Sequence, residues 1–307
     1  MISPNEVSII GCGGCPLGGY GWGVTDKLEM QKTVEDCIAN GINFIDTSDT
    51  YGLGESEKLI SKAIENKKRD EFFISTKFGV KYNSNTNKTS YDNSDAWFWS
   101  SLHSSLKRLS VDCIDLYQIH YWDEKTEMDD IFNNFDKATQ QGKIRFCGVT
   151  NIFIDSNKQE IPKNFLSFSM LYNLIDQMHE DEIDKIIKKD NLKFLSWGSL
   201  CQGLLSGKYN KSTQFSLNDR RSKPIYENFH GEKYLKNLKK VELLKTFAKS
   251  LDTTTIALSI GWIANRFANS TVLVGMKNRN ELNEIKKALN LKLSENDIKY
   301  IKEIFNS

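Results

Sequence analysis

The amino-acid sequence predicts a single (β/α)8 TIM barrel that spans residues 1–307 as one domain. Short apolar segments bounded by glycine or polar residues recur eight times along the chain, as expected of buried parallel strands. Most of them are followed by a longer segment with apolar residues at helical spacing. At this chain length, eight strand–helix units favour one closed barrel over two separate domains.

The predicted strands and helices alternate with little interruption. Strands are predicted near residues 7–13, 43–47, 72–77, 114–120, 144–149, 165–171, 193–200 and 271–274. Helices are predicted near residues 26–40, 55–66, 95–109, 128–141, 232–250 and 254–268, with two extra C-terminal helices near 280–289 and 294–305. Segment 151–164 shows no helical stripe, so the fifth helix is expected to be short or replaced by a loop. The polar segments 83–93 and 208–231 are predicted to be an exposed loop and an insertion.

The composition argues against several classes of function. A net charge of +1 gives no electrostatic footprint for nucleic acid or for an anionic membrane surface. No apolar run is long enough to cross a bilayer and no signal peptide is visible, so a cytoplasmic protein with free thiols is expected.

Cys12 and Cys15 have the spacing of a metal or redox motif. Neither a second cysteine pair nor a neighbouring histidine completes a zinc site, so no metal is predicted. The favoured interpretation is a pair of small buried residues beside a glycine-rich turn, and metal or redox chemistry is the alternative. The glycines within 18–23 do not follow a strand and open a helix, as a dinucleotide-binding fingerprint would require.

Four polar residues stand where predicted strands end. Asp46 ends the second strand, and Tyr51 follows it in a polar, glycine-flanked loop. Lys77 ends the third strand and His120 ends the fourth. Taken singly, such residues are more often a helix cap, a solvated lysine or a satisfied histidine. The carboxyl ends of parallel strands meet at one rim of a barrel, where active sites are built, so we expect the four to share one site.

Together these side chains predict a proton-donating site. A Lys77 ammonium beside the Tyr51 phenol would lower the pKa of the phenol toward neutral, and Asp46 would keep that ammonium charged and in place. His120 would donate a hydrogen bond to a carbonyl oxygen. Such a site protonates a carbonyl oxygen while hydride arrives from elsewhere, without a metal or a covalent nucleophile. A hydride-donating cofactor is therefore implied.

From about Val7 to the last helix, the chain resembles the aldo-keto reductase superfamily. The motifs that carry the resemblance are Gly41-x-x-x-x-Asp46-Thr47-x-x-x-Tyr51-Gly52, Ser75-Thr76-Lys77-Phe78, Ser105-Leu106-Lys107-Arg108-Leu109, Ile114-Asp115-Leu116-Tyr117-Gln118-Ile119-His120 and Gly142-Lys143-Ile144-Arg145. The resemblance implies an NAD(P)H-dependent oxidoreductase that reduces an aldehyde or ketone to an alcohol. It implies that Tyr51 is the general acid, that Lys77 tunes its pKa and that Asp46 holds Lys77. His120 would orient the carbonyl group.

The same resemblance implies a set of cofactor-binding residues. Thr150 and Asn151 match a Ser-Asn pair that holds the nicotinamide carboxamide, and Trp197 stands where a Tyr stacks on the nicotinamide ring. The other implied positions are Ser169 near the carboxamide, Gly198, Ser199, Leu200, Gln202, Gly203 and Lys208 in a loop over the pyrophosphate, and Gly275, Lys277, Arg279 and Glu281 near the adenosine.

Three departures from the family pattern affect these expectations. Ser169 replaces a Gln that contacts the carboxamide. Glu281 stands where an Arg or Gln meets the adenosine 2′-phosphate, and Ile285 replaces an Asn that binds adenine. Lys277 and Arg279 could still meet that phosphate, so NADPH is favoured over NADH. The first strand of the usual N-terminal hairpin is missing, so the barrel floor is expected to be less covered.

The expected partner is a small-molecule carbonyl substrate, with no nucleic acid and no membrane, and the chain is expected to be a monomer or a weak homo-oligomer. An aromatic-walled pocket would suit a small aldehyde, a ketone or a sugar-like carbonyl. The aromatic candidates for its wall, which could equally be packing residues, are Trp22, Tyr82, Trp122 and Phe229. Two alternatives stay open: a Schiff-base lyase with Lys77 as nucleophile, and a cofactor-binding regulatory barrel with little turnover.

Overall fold

A closed barrel of parallel strands forms the centre of the molecule and confirms the predicted fold class. The computed structural model describes residues 1–86, 88–154, 160–267 and 269–306. The barrel strands are β1 (Ile10–Gly13), β2 (Phe44–Asp46), β3 (Phe73–Phe78), β6 (Ile114–Ile119), β7 (Ile144–Thr150), β8 (Phe165–Leu171), β9 (Lys193–Trp197) and β10 (Ser270–Gly275), and a separate hairpin is formed by β4 (Val80–Asn83) and β5 (Lys88–Tyr91). Each barrel strand pairs in parallel with its neighbours in the order β1-β10-β9-β8-β7-β6-β3-β2.

The helices cover the outside of the barrel, close to their predicted positions. They are α1 (Lys27–Ala39), α2 (Glu55–Ile64), α3 (Asp95–Leu109), α4 (Met128–Gln140), α5 (Glu180–Asp190), α6 (Gly231–Ser250), α7 (Thr255–Arg266), α8 (Arg279–Lys286) and α9 (Glu295–Asn306). The side chains of Asp26 and Ser94 cap the first turns of α1 and α3 by accepting backbone N–H groups. In the described ranges, none of the helices is both long and apolar enough to span a membrane.

The floor of the barrel is closed by apolar side chains. A cluster of buried residues there is formed by Ile2, Val7, Phe44, Phe73, Leu116, Leu195 and Leu273. Residues 1–9 contain a turn and no hairpin strand, in line with the departure noted in the sequence. Ile2 and Val7 are nevertheless buried, and Arg145 Nη1 donates to the Ile2 carbonyl at 2.8 Å. The expected loss of floor cover is therefore corrected, because the N-terminal segment packs against the floor without forming strands.

Two segments differ from the sequence-based expectations. Strand β5 lies within the stretch 83–93 that was predicted to be a loop, and it pairs antiparallel with β4, which comes just before that stretch. Their polar side chains are mostly exposed, so no buried apolar alternation marked them. Helix α5 follows β8 and was not assigned from the sequence. Between β7 and β8 the described residues 151–154 and 160–164 contain no helix, and residues 155–159 lie outside the described range.

Candidate active site

Lys77 and Asp46 form a buried ion pair at the carboxyl ends of β3 and β2. Lys77 Nζ donates to Asp46 Oδ1 and Oδ2 and to the Thr47 carbonyl, each at 2.7 Å. The two side chains are only 3% and 5% exposed. An ammonium has three protons, and these contacts use all of them. The pair is therefore a closed unit with a fixed geometry.

Further polar residues hold Asp46 from inside the barrel. Ser75 Oγ donates to Asp46 Oδ1 at 2.9 Å and accepts from Gln118 Nε2 at 2.8 Å. Gln118 lies on β6, so the chain of hydrogen bonds crosses β2, β3 and β6. A buried carboxylate that is paired and hydrogen-bonded in this way is held in one orientation.

Tyr51 lies in the loop after β2, over the ion pair. Lys77 Nζ is 5.5 Å from the centroid of its ring. The loop is fixed by the Tyr51 N–H, which donates to the Ser48 carbonyl at 3.2 Å, and by the close approach of Gly52 to Gly18 in the loop after β1. Gly52 has φ +62°, and a Cβ at this position would overlap the Gly18 carbonyl.

His120 follows β6 and completes the group. Its ring is edge-to-face with Tyr51 at 5.8 Å and stacked on Tyr121 at 5.2 Å between centroids. Its Nδ1 lies 3.1 Å from Ser48 Oγ. Burial, aided by the charge of Lys77, lowers the pKa of His120 to about 3, so the imidazole is neutral at pH 7. The structure therefore brings together all four residues that the strand ends predicted.

The expected pKa of Tyr51 is corrected by the structure. Burial raises the pKa well above its usual value, Cys15, Asp46 and Tyr121 raise it further, and Arg220 acts in the opposite direction. The sequence-based expectation of a lowered pKa took Lys77 as a free charge. In the structure Asp46 sits 2.7 Å from that ammonium and cancels most of its field. The phenol is accordingly a protonated, weakly acidic group at neutral pH.

The residues predicted to hold a nicotinamide carboxamide lie beside this group. Thr150, at the end of β7, has a buried hydroxyl that lacks a hydrogen-bond partner among the described residues. Asn151 donates through Nδ2 to the His120 carbonyl at 3.3 Å and accepts from Trp197 Nε1 at 3.1 Å. An orphaned hydroxyl next to an amide fits a ligand that carries its own amide. The set therefore fits a carboxamide.

Ser169 stands opposite Thr150 in the pairing of β7 with β8. Its hydroxyl donates to the Leu195 carbonyl at 2.9 Å, and the side chain is 1% exposed. The hydroxyl proton is thus used within the barrel wall. Trp197 has its indole N–H fixed by Asn151, which sets the plane of the ring at the rim.

The predicted pyrophosphate loop follows β9. Its backbone departs from regular helix, with positive φ at Gly198 (66°), Gln202 (50°) and Gly203 (93°). Ser199 Oγ lies 3.0 Å from each of the Ser196 and Leu273 carbonyl oxygens, which share its one proton, and this anchors the loop to β10. Leu200 precedes the 3-10 turn Cys201–Ser206. Lys208 lies at the end of this loop, and burial lowers its pKa.

The positions predicted near the adenosine lie after β10. Lys277 donates through Nζ to the Trp22 carbonyl at 3.1 Å, and its backbone N–H donates to Glu281 Oε2 at 2.8 Å. Arg279 forms an ion pair with Asp36 on α1. A Cβ at Gly275 would lie 2.8 Å from a carbon of Pro16, so the absence of a side chain lets the two loops meet.

Two arginines in the insertion were missed by the sequence analysis. Arg221 is 8% exposed, forms an ion pair with Asp219 and lies with Cζ 4.7 Å from the Phe215 ring centroid. Arg220 stands next to it, against Trp22. The Asp-Arg-Arg run 219–221 inside a polar insertion was the available signal, but a charged run in a loop is usually solvated.

The aromatic candidates separate into lining and packing residues. Trp22 contacts Tyr226 at 6.2 Å, edge to face, beside the site. Phe229 is buried among other aromatic rings of the insertion and α6, so it is a packing residue. Trp122 Nε1 donates to the Thr126 carbonyl within its own loop. Tyr82 lies on the exposed β4.

The cysteines do not form a metal site in the part of the chain that the structure describes. Cys12 is fully buried in β1. Cys15 accepts a hydrogen bond from Trp22 Nε1 at 3.3 Å. Burial raises the pKa of the Cys15 thiol above its usual value, although Arg220 opposes this.

The chain is similar in sequence and in fold to known aldo/keto reductases. The model of the Aldo/keto reductase family matches residues 10–306. The aldo-keto reductase YhdN of Bacillus subtilis is 30% identical, over 98% of this chain and 91% of that protein. The aldo-keto reductase yakc [NADP(+)] of Schizosaccharomyces pombe is 29% identical, over 98% of this chain and 89% of that protein. The structure of the glycerol dehydrogenase AKR11B4 from Gluconobacter oxydans superposes with a TM-score of 0.88 at 28% identity, covering 97% of this chain and 91% of that one.

Proposed function

This chain belongs to the aldo/keto reductase family, and on that premise we propose that it reduces an aldehyde or ketone to an alcohol with hydride from NADPH and a proton from Tyr51. The observation that carries the proposal is the packing of Tyr51 and a neutral His120 over the buried Lys77–Asp46 pair. The Tyr51 hydroxyl is a proton donor and the His120 imidazole is a hydrogen-bond donor, and their rings are close enough to act on the same carbonyl oxygen.

We assign the roles as follows. His120 donates a hydrogen bond from Nε2 to the carbonyl oxygen and holds it near the Tyr51 hydroxyl. A neutral imidazole serves this purpose, because it directs the substrate without competing to deliver a proton. When bound, with Thr150 and Asn151 at its carboxamide, NADPH would supply the hydride for the carbonyl carbon. The Tyr51 hydroxyl then gives its proton to the oxygen, which leaves a phenolate beside Lys77 and an alcohol product.

The raised pKa of Tyr51 keeps the phenol in the protonated form that reduction needs, although it also makes the phenol a weaker acid. At neutral pH the free phenol keeps its proton and is ready to donate it. Lys77 acts afterwards, because the part of its charge that Asp46 leaves uncancelled, 5.5 Å from the ring centroid, stabilises the phenolate that forms. Asp46 keeps that charge in place. Removing either member of the pair would leave the other buried without its partner, which is a costly state.

We propose NADPH as the cofactor because positive groups cluster where its phosphates would lie. Lys208 and Lys277 are close enough for their charges to act on one another, and beside them lies Arg221, which is already paired with Asp219. Thr150 and Asn151 would meet the carboxamide. Arg279 is the weaker candidate for the 2′-phosphate, since Asp36 already pairs with it. The ratio of kcat/KM for NADPH to that for NADH tests the choice.

The Schiff-base alternative loses support from the contacts of Lys77. A nucleophilic amine must be free of a proton and accessible. Here the amino group is 3% exposed and all its protons are held by Asp46 and the Thr47 carbonyl. The regulatory alternative has no specific observation in its favour.

The test is oxidation of NADPH in the presence of a panel of aldehydes and ketones, followed by absorbance at the nicotinamide band. Tyr51→Phe removes only the hydroxyl, and we expect turnover to fall by about 10²-fold or more while NADPH affinity is retained. Use of deuterated NADPH with analysis of the alcohol confirms hydride transfer to the carbonyl carbon. Equal turnover by the wild type and Tyr51→Phe would refute the assignment.

The extent of the domain, the location and the assembly state are also proposals. A single domain over residues 1–307 would give one cooperative unfolding transition by calorimetry. A cytoplasmic location and a monomeric or weakly associated state rest on sequence composition, and sedimentation velocity over a range of protein concentration tests the second.

A further inference from the structure

Arg220 joins the insertion to the loop after β1. Its backbone N–H donates to the Gly21 carbonyl at 2.9 Å. Gly21 has φ +79°, and a Cβ there would lie 2.6 Å from Arg220 Cγ. The arginine side chain therefore runs directly across Gly21, and glycine is the residue that leaves room for it.

The Arg220 guanidinium lies over Trp22, whose indole N–H donates to Cys15 Sγ, and the residue before Cys15, Gly14, donates its N–H to the Asp46 carbonyl of the candidate active site. Its Cζ is 5.6 Å from the Trp22 ring centroid and 5.8 Å from that of Tyr20. The Tyr226 hydroxyl is its hydrogen-bond acceptor. Its charge acts on both Tyr51 and Cys15, lowering the pKa of each against the effect of burial. The cation is thus within electrostatic reach of the proposed proton donor.

Arg220 differs from the other arginines in its lack of a counter-ion. Within the described ranges no carboxylate lies at ion-pair distance from it. Every other arginine has such a partner: Arg69 and Arg145 pair with Asp115, Arg108 with Glu57, Arg221 with Asp219, Arg266 with Glu180 and Asp184, and Arg279 with Asp36. A partly buried guanidinium without an anion retains a strong attraction for one.

The adjacent Arg221 gives a direct contrast. It is held by Asp219 and by the Tyr209 hydroxyl, so its donors are already committed to the protein. Arg220 has aromatic faces and one phenol as neighbours, and these leave most of its planar set of donors unused. Two neighbouring arginines in one turn therefore have different roles.

We propose that Arg220 binds a negatively charged group, a carboxylate or a phosphate, carried by the carbonyl substrate. This rests on the proposed function, since the substrate must place its carbonyl group at Tyr51. The favoured substrates are aldehydes and ketones with an anionic group separated from the carbonyl by several bonds. A guanidinium matches the oxygens of both groups with paired hydrogen bonds.

The experiment uses substrate pairs that differ only in charge. 4-Carboxybenzaldehyde is compared with methyl 4-formylbenzoate, and glyceraldehyde 3-phosphate with glyceraldehyde. The variants are Arg220→Gln, which removes the charge, and Arg220→Lys, which keeps the charge and loses the paired geometry. Lys223→Gln is the matched control, because it removes an exposed positive charge from the same insertion.

We expect the wild type to prefer the charged member of at least one pair. Arg220→Gln should lower kcat/KM for that member by about 10- to 100-fold and leave the neutral member within about threefold. Arg220→Lys should recover part of the loss, and Lys223→Gln should behave as the wild type. The pair that responds tells whether a carboxylate or a phosphate is preferred.

A binding measurement removes the dependence on turnover. With the NADP⁺-bound protein, calorimetry should show that 4-(hydroxymethyl)benzoate binds more tightly than its methyl ester, and that Arg220→Gln abolishes the difference. Calorimetric affinity for NADPH alone should be unchanged in Arg220→Gln. An equal loss on both members of a pair, or a loss confined to NADPH affinity, would overturn the proposal and assign Arg220 to the cofactor.

The two proposals fail in different ways. If neutral aldehydes are reduced with dependence on Tyr51 but the wild type shows no preference for charge in turnover or binding, the role of Arg220 is refuted and the reductase assignment stands. If the anion binds through Arg220 but no carbonyl is reduced, the reductase assignment fails alone. Melting temperatures of the variants close to that of the wild type exclude a folding defect as the cause.

Discussion

The Oγ of Ser48 lies 3.1 Å from Nδ1 of His120, so the loop after β2 holds the imidazole that follows β6. The same oxygen accepts the Thr50 N–H at 3.2 Å, and Asp49 Oδ1, 3.1 Å away, is a second acceptor for its proton. A hydroxyl has a single proton to give, and burial raises the pKa of Asp49 to about 7, so this carboxyl can carry a proton of its own and leave the Ser48 proton to Nδ1. In that arrangement the imidazole proton is on Nε2, which is the atom needed to bind a carbonyl oxygen.

We therefore expect Ser48→Ala to lower kcat by about tenfold, because His120 would no longer be held as a single tautomer. Steady-state kinetics and ¹⁵N NMR of the imidazole measure the two effects. Ser100→Ala is the matched control, since it makes the same substitution at an exposed position of α3, and it should retain activity within about twofold. A single Nε2-protonated tautomer in Ser48→Ala would contradict the argument.

His120 also makes stability depend on pH. Its pKa is lowered to about 3 in the folded protein, so only the unfolded chain takes up a proton between about pH 6.5 and 3. Stability is then fully present above pH 6.5 and is lost as the pH falls. Between pH 7 and 5 this amounts to about 2 kcal/mol of the free energy of unfolding. Urea titrations at both pH values should show this loss in the wild type and a smaller loss in His120→Gln.

Thr150→Val tests the cofactor site without disturbing the fold. The Thr150 hydroxyl is buried and lacks a partner among the described residues, so replacing it by a methyl group should leave the melting temperature unchanged or raised. If this hydroxyl binds the carboxamide, the Kd for NADPH should rise by about five- to tenfold. Thr246→Val, on the exposed face of α6, should leave the Kd as it is. Unchanged NADPH binding in Thr150→Val would remove Thr150 from the cofactor site.

Gly52 and Gly41 allow the backbone strain of a positive φ to be distinguished from the steric clash that an added Cβ would cause. Both have positive φ, 62° and 78°, but a Cβ would overlap the Gly18 backbone at Gly52 and meet nothing within 4 Å at Gly41. Gly41→Ala should therefore cost about 1 kcal/mol of stability and leave kcat unchanged. Gly52→Ala should also displace the Tyr51 loop and lower kcat by about tenfold or more. Chemical denaturation and kinetics of both variants make the comparison, and equal kcat values would argue against a positioning role for the Gly18–Gly52 contact.

The barrel and its catalytic rim could be predicted because both depend on local patterns. An apolar run followed by Asp46 or Lys77 marks a strand and its end, and the symmetry of a parallel barrel brings the ends together. Hairpin β4–β5 escaped prediction since its strands are largely exposed and polar. Its antiparallel pairing is satisfied by backbone hydrogen bonds, which leave no pattern in the side chains.

The features that could not be predicted depend on contacts between distant parts of the chain. The role proposed for Arg220 depends on the contact between the insertion and the loop after β1 at Gly21. Similarly, the pKa of Tyr51 depends on the combined electrostatic effect of Lys77 and Asp46. That sum is set by the distances between these groups. The sequence shows which ionisable side chains are present, but whether together they raise or lower the pKa of Tyr51 can be decided only from their positions in the structure.

Cys15 lies beside the proposed proton donor, close enough for its thiol to affect the pKa of Tyr51. Alkylating reagents and peroxide attack the thiolate, and burial keeps this thiol protonated. A reactive sulfur atom beside the proposed proton donor would be a point of inactivation. Cys15 is only half-buried, so its raised pKa, rather than exclusion of the reagent, should slow its oxidation and let activity outlast an oxidative challenge.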